Sequence, residues 1–135
     1  MLLDTLLKEK NKPIYIFGLP AKGGDNLRTL KFVVDKQILE KDPNCDFSGL
    51  IPGTEQYLRA EFIFSKEWND CVKVASFRSN MGTEYPPQVL EDGISCLIPA
   101  EALKTQKFKV SVIGKCGDFK LTTNKVTICQ NGGNV

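Results

Sequence analysis

The residues able to carry out acid–base or nucleophilic chemistry are few in this chain, and they are poorly placed for it. There is no histidine, so the usual general base and the usual activator of a serine or cysteine nucleophile are missing. Paired carboxylates are the next option, because two acids in different surroundings can divide the roles of acid and base. Glu67 with Asp70, and Glu91 with Asp92, are the candidates. Both pairs fall in polar turn sequences beside Trp68 or Gly93, where acids are expected as solvated turn residues. Five cysteines occur, Cys45, Cys71, Cys96, Cys116 and Cys129, odd in number, widely spaced and without a C-x-x-C pair. Zinc sites are built from closely paired Cys or His. The expectation is therefore free thiols, buried or half-buried, in a chain made in a reducing compartment. Structural disulfides are the lesser alternative and a metal site the least. Gly18 and Gly23 in GLPAKGGDN stand at phosphate-loop spacing, but the Lys-Ser/Thr pair that would grip phosphate and magnesium is missing. The stretch reads as a linker. The chain is read as non-enzymatic, with no catalytic, metal or cofactor-binding residue assigned.

Binding chemistry has more to draw on. Trp68 is the only tryptophan, and its ring, with Tyr57 or Tyr85, is a candidate platform for a sugar. The competing reading has Trp68 plugging the core or a sheet corner. Lys107, Lys109, Lys115, Lys120 and Lys125 form a candidate basic strip, but solvated strand faces look the same, and alternating lysines also discourage edge pairing. With 18 basic and 16 acidic residues the net charge is +2, too balanced to argue for nucleic acid or a membrane surface. No apolar run is long enough to span a bilayer, and the start, MLLDTLLKEK, lacks the layout of a secretory signal.

These residues must be positioned by strands. Tyr57 to Phe77 organises the rest. Leu58, Ala60, Phe62 and Phe64 share one parity, which marks a strand with one buried face. A polar turn carrying Trp68 follows, then a second run from Cys71 to Phe77 of mixed parity, so the unit reads as a hairpin or corner. Leu27 to Val34 is an earlier strand with Leu30, Phe32 and Val34 on one face, followed by a turn at Asp35-Lys36 and a return over 37–40. Lys41 to Gln56 is a loop by composition, and its Phe47, Leu50 and Ile51 are expected to pack down on the body. Arg78 to Pro87 is a second loop. Short strands are expected over 88–90 and 94–98, one helical turn over 99–103, and a clean strand over Lys107 to Ile113. A glycine-rich hairpin loop over 114–118 and strands over 119–123 and 126–128 complete the body. At the start, Leu2, Leu3, Leu6 and Leu7 form one apolar stripe of a short helix that Pro13 stops. Docking of that helix on its own body and on a neighbouring subunit are both open. Ile14 to Phe17 is a short β-prone run.

Eight or nine short strands and almost no helix mean an all-β fold, an antiparallel sandwich or barrel, with an immunoglobulin-like sandwich the leading form. The expected organisation is an N-terminal arm (1–26), a sandwich domain (27–130) and a tail (131–135).

Five segments, taken in order, resemble a known family: TLKFVVDKQILEK (29–41), YLRAEFIFSKEWNDCVKVASF (57–77), VLEDGISCLIPAEAL (89–103), FKVSVIGKCGDFKLTTNKVTI (108–128) and the closing NGG. The chain resembles the small β-sandwich modules of tail, baseplate or other virion proteins of phages and prophages of Gram-positive bacteria. The carrying motifs are S-x-E-W (Ser65, Glu67, Trp68), C-x-I-P-x-E-x-L (Cys96, Ile98, Pro99, Glu101, Leu103), V-x-V-x-G (Val110, Val112, Gly114) and T-T-N-x-V-x-I (Thr122, Thr123, Asn124, Val126, Ile128). The resemblance implies a virion component made in the bacterial cytoplasm that works by assembly with other virion proteins or with copies of itself. It implies no small-molecule ligand and no catalytic residues. Such modules often open a longer chain that ends in a fibre or receptor-binding part. A chain stopping at Val135 is instead expected to be a stand-alone component. Leu2, Leu3, Leu6, Leu7, Trp68 and Tyr85 are the candidate contact residues.

Overall fold

In the computed structural model, which describes residues 27–131, alternation becomes strand wherever one face can be buried. Leu30, Phe32 and Val34 point inward from β1 (Arg28–Asp35), and Leu58, Ala60 and Phe62 from β3 (Leu58–Phe64). Between them β2 (Ile38–Lys41) returns antiparallel to β1 after a tight turn at Lys36-Gln37. The other strands are β4 (Val72–Ser79), β5 (Gln88–Val89), β6 (Ser95–Leu97), β7 (Lys107–Cys116), β8 (Phe119–Thr122) and β9 (Val126–Cys129), with one helical turn, α1 (Ala100–Leu103), before β7. Two sheets result. The first has the order β2-β1-β3-β6 and the second β5-β4-β7-β8, with β9 on the other half of the long β7. Their inner faces share one apolar cluster, which includes Leu30, Phe32, Phe62, Phe77, Phe108 and Val110. Burying each such side chain favours folding by about 1.5–3 kcal/mol. Phe32 stacks on Phe62 with ring centroids 5.2 Å apart.

The all-β expectation holds, with nine strands, the helical turn after Pro99, and the inward parity of Leu30, Phe32, Val34, Leu58, Ala60 and Phe62; Phe64 is only half-buried, and Phe119 of β8 is 55% exposed. Four details differ. The central pairing of the first sheet, β1 with β3, is parallel, with Arg28 opposite Leu58 through Val34 opposite Phe64. Residues 42–57 make this possible, because they carry the chain back along the full length of β1 before β3 begins. That crossover also covers what β2 leaves of the β1 edge: Asp42 N–H donates to Lys31 C=O, and Lys31 N–H donates to Cys45 Sγ at 3.3 Å. Within it Leu50 is buried and Phe47 packs on the core, while Ile51 stays exposed. Secondly, of the two readings of the organising stretch only the hairpin fails: β3 and β4 belong to different sheets, so the stretch is the corner, the other reading. Thirdly, β7 continues through Gly114 to Cys116, so the expected hairpin loop shrinks to a turn around Gly117-Asp118. Fourthly, Cys71 and Cys116 form a disulfide, against the expectation of free thiols. The β4–β7 register pairs Val72 with Lys115 and so sets Cys71 directly opposite Cys116. Sequence spacing carries no information about a cross-strand pair of this kind. Cys45, Cys96 and Cys129 are unpaired. The N-terminal helix with Leu2, Leu3, Leu6 and Leu7 lies outside the described residues. Among the described residues, no helix is long and apolar enough to cross a membrane.

Candidate functional site

The S-x-E-W stretch forms a latch on the β1–β2 turn. Lys36 sits there with φ 57°, a left-handed conformation that costs a non-glycine residue about 1 kcal/mol or more. Both of its backbone polar groups are held by the corner. Lys36 N–H donates to Ser65 Oγ at 2.8 Å, and Trp68 Nε1–H donates to Lys36 C=O at 2.7 Å. Ser65 in turn hydrogen-bonds the Glu67 carboxylate, the main reason its pKa lies below the ordinary value, with Lys36 and Lys66 adding a smaller attraction. Ser65, Glu67 and Trp68 are therefore all engaged in holding a turn of the neighbouring strand pair. The 3-10 turn Lys66–Trp68 lets the indole reach back under the sheet.

The Trp68 ring is fully buried and lies against Gly114 of β7. A Cβ at Gly114 would stand 2.7 Å from Trp68 Cζ3 and 2.8 Å from Cε3. A glycine inside a strand often marks such a close approach, and here the indole occupies the side-chain space of residue 114. The same hypothetical Cβ would lie 3.5 Å from Cys71 Cβ, so the tryptophan, the glycine and the disulfide are one packed unit. Gly114→Ala is expected to destabilise the fold by about 1–3 kcal/mol through overpacking, read as a lowered urea midpoint. Trp68→Phe, which shortens the ring system, is expected to restore part of the loss.

The T-T-N stretch fastens the two sheets along another edge. β7 pairs with β9 over 107–110 and with β8 over 113–116, and Thr123 fills the gap. Val112 N–H donates to Thr123 Oγ1 at 2.9 Å, and Thr123 N–H donates to Val112 C=O. Next to it, Asn124 reaches across to β2 of the first sheet. Its Oδ1 accepts from Leu39 N–H at 2.7 Å and its Nδ2 donates to Leu39 C=O at 3.1 Å, so the side-chain amide acts as a strand residue would.

The candidate acids are also absorbed by turns. Asp92 Oδ1 accepts from Ile94 and Ser95 N–H, and Oδ2 accepts from Ser95 Oγ at 2.6 Å. Burial alone would raise its pKa, but these bonds outweigh it and hold the carboxyl below the ordinary range. Glu67 is turned to Ser65, while Asp70 follows in a left-handed turn with φ 66°. The Glu67/Asp70 and Glu91/Asp92 pairs thus stay in their turns. Among the described residues, no group of three or more His, Cys, Asp and Glu side chains is gathered closely enough to hold a metal ion. Among the described residues, Cys96, beside Asp92, is the group shifted furthest. Burial, with a smaller contribution from the Asp92 charge, pushes its thiol up to about 12. The thiolate is the reactive form. Under mild alkylation near pH 8, the exposed Cys129 is expected to label first and Cys96 at least about tenfold more slowly, checked by peptide mass spectrometry.

Of the contact candidates, Trp68 is corrected: a fully buried ring offers no platform. Tyr85 is half-buried and packs on the core, while Tyr57 remains 47% exposed. Among the five lysines of the candidate basic strip, Lys115 and Lys120 lie directly opposite each other, and Lys109 faces Arg78. What sequence reasoning missed is on the outer face of the second sheet. Val89, Val74 and Ile113 stand in one cross-strand row over β5, β4 and β7. Val72, nearby on β4, is 63% exposed, and Val89 is 52% exposed. The mixed parity of 71–77 was the signal, since Val72 and Val74 are the apolar residues left outward when Cys71, Ala75 and Phe77 turn in. No protein-family model matches this chain, nor does any curated protein or solved structure.

Proposed function

We propose that the protein is a non-enzymatic structural component of a phage or prophage particle, tail- or baseplate-associated or head-decorating. It would be made in the bacterial cytoplasm and act by assembly with larger virion proteins or copies of itself. Its two sheets are proposed to be an immunoglobulin-like sandwich. Two things support the reading. The ordered motifs of the resemblance have framework roles here, Ser65, Glu67 and Trp68 at the corner and Thr123 and Asn124 at the far edge. The observation that carries it is the outward aliphatic row Val89–Val74–Ile113 with Val72 beside it, in which Val72 and Val89 are exposed and Val74 and Ile113 half-buried between strands, since apolar side chains left open on a sheet face mark a site of protein contact. A sugar platform is not favoured, because the tryptophan is buried.

The test is mass spectrometry of particles banded from an induced culture of the source strain. The chain is expected in the banded particles, and Val72→Asp with Val89→Asp is expected to lower its incorporation about tenfold or more with folding unchanged. Recovery of the chain from the cell lysate alone, with none in the particles, ends the reading.

A further inference from the structure

The outer faces of the two sheets lie on opposite sides of the shared core, and they differ in charge. On the second sheet, the charged strand residues that point outward are Arg78, Lys107, Lys109, Lys115 and Lys120, with no acid among them. Two like-charged pairs stand directly opposite each other, Lys115 with Lys120 and Lys109 with Arg78. Such pairs destabilise a sheet. Arg78 meets the Glu84 carboxylate at 3.4 Å, and acids from outside the chain would relieve Lys115 and Lys120 in the same way. Between the two pairs runs the aliphatic row Val89–Val74–Ile113. The first sheet also turns aliphatic residues outward: Val33, with Ile38 and Ile63, which are 53% and 55% exposed. Their nearest charged neighbours are acids. Asp35 stands opposite Ile38, Glu40 stands opposite Val33, and both carboxylates are exposed. The cations around them are matched within the chain: Lys31 stands opposite Glu61, Lys36 and Lys66 attract Glu67, and Arg59 is engaged. Each face is four strands across and eight residues long on its central strand, roughly 500 Å² at ~4.8 Å per strand and ~3.3 Å per residue.

We infer that the chain stacks on copies of itself, with the basic outer face of the second sheet of one copy against the outer face of the first sheet of the next. Charge selects this partner. The stack brings Asp35 and Glu40 of one copy to Lys115 and Lys120 of another, whereas two basic faces meeting each other would set lysine against lysine. The apolar residues agree. Val72 and Val89 on one face and Ile38 and Ile63 on the other are left open in the single chain, and together they make an apolar centre with a charged rim. The area agrees as well: two faces of this size bury roughly 1,000 Å² in all, the lower end for a specific contact, so each single contact is weak. Because the two faces are different and lie on opposite sides, the contact is heterologous. Each added copy presents a fresh face, and growth continues past the dimer as a row or a ring. The inference rests on the assembly reading of the aliphatic row and deepens it by naming a second copy as the partner.

The test is the mass of the purified full chain by analytical ultracentrifugation over a hundredfold range of concentration, beside two double variants. Lys115→Glu with Lys120→Glu makes the basic face acidic, and Asp35→Lys with Glu40→Lys makes the acidic face basic. All four side chains are exposed, so both variants are expected to fold, checked by circular dichroism. The unaltered chain is expected to grow past the dimer as concentration rises, and to associate about tenfold more weakly at high salt. Each variant alone is expected to associate about tenfold more weakly or less, because one then carries two acidic faces and the other two basic ones. An equal mixture of the two variants is expected to regain association. An unaltered chain that stays monomeric throughout, a mass that stops at the dimer, variants that associate as the unaltered chain does, or a mixture no more associated than its components would each overturn the proposal. A monomer in solution ends the stack, whereas absence from banded particles ends the virion reading, so the two fail separately.

Discussion

Trp68→Ala is expected to lower the stability of the fold by about 3–5 kcal/mol, the cost of emptying a large aromatic site in a packed core. The ring is fully buried and contacts both sheets: it lies 5.1 Å from Phe64 of β3, centroid to centroid, and against Gly114 of β7. A further part of the loss comes from Lys36 C=O, which then lacks the indole N–H that satisfies it at 2.7 Å; an unsatisfied polar group costs about 1–3 kcal/mol when it stays buried. Urea unfolding followed by far-ultraviolet circular dichroism measures the effect. Ser65→Ala removes only the acceptor for Lys36 N–H and is expected to cost about 0.5–1.5 kcal/mol. The two losses should not add, because both residues hold the same turn.

Removal of the Cys71–Cys116 disulfide is the second large effect. The bridge joins residues 45 apart in sequence, and closing a loop of that length restricts the unfolded chain by about 4 kcal/mol. Cys71→Ser with Cys116→Ser is expected to lower Tm by roughly 15–25 °C for a domain of this size. The same shift should appear when the unaltered protein is melted in a thiol reductant. A change under about 3 °C in both experiments would show that the β4–β7 register holds this corner without the cross-link. Since the disulfide lies beside the Trp68–Gly114 contact, combining its loss with Trp68→Ala should also depart from additivity.

The inward faces were legible in the sequence because alternation maps directly onto the pleat. Leu30, Phe32 and Val34 and the Leu58–Ala60–Phe62 set fall where their parity put them. What parity does not carry is pairing. Nothing in residues 42–57 announces that they return the chain to lie parallel to β1, because loop composition is indifferent to where a loop ends. Gly114 misled for a related reason. A glycine near Gly117 and Asp118 reads as turn chemistry, yet it sits in a strand to make room for an indole supplied by residues 46 positions earlier. Cys71 and Cys116 are invisible as a pair for the same cause, since only the β4–β7 register brings them face to face. For the site, the sequence singled out Ser65, Glu67, Trp68, Thr123 and Asn124 by type and order. Their roles became readable only with Lys36 and Leu39 in place, two backbone partners that no side-chain pattern marks.

The account turns on Trp68 being a structural latch and not a ligand platform, and the chain offers a direct probe of that. It has a single tryptophan, so it gives one indole N–H signal by nuclear magnetic resonance. That proton is expected to exchange with solvent only through global unfolding, with the same free energy as the slowest backbone amides of β3 and β7, and to be unmoved by added glycans. Exchange within minutes under native conditions, or a shift of the signal on titration with an oligosaccharide, would contradict it.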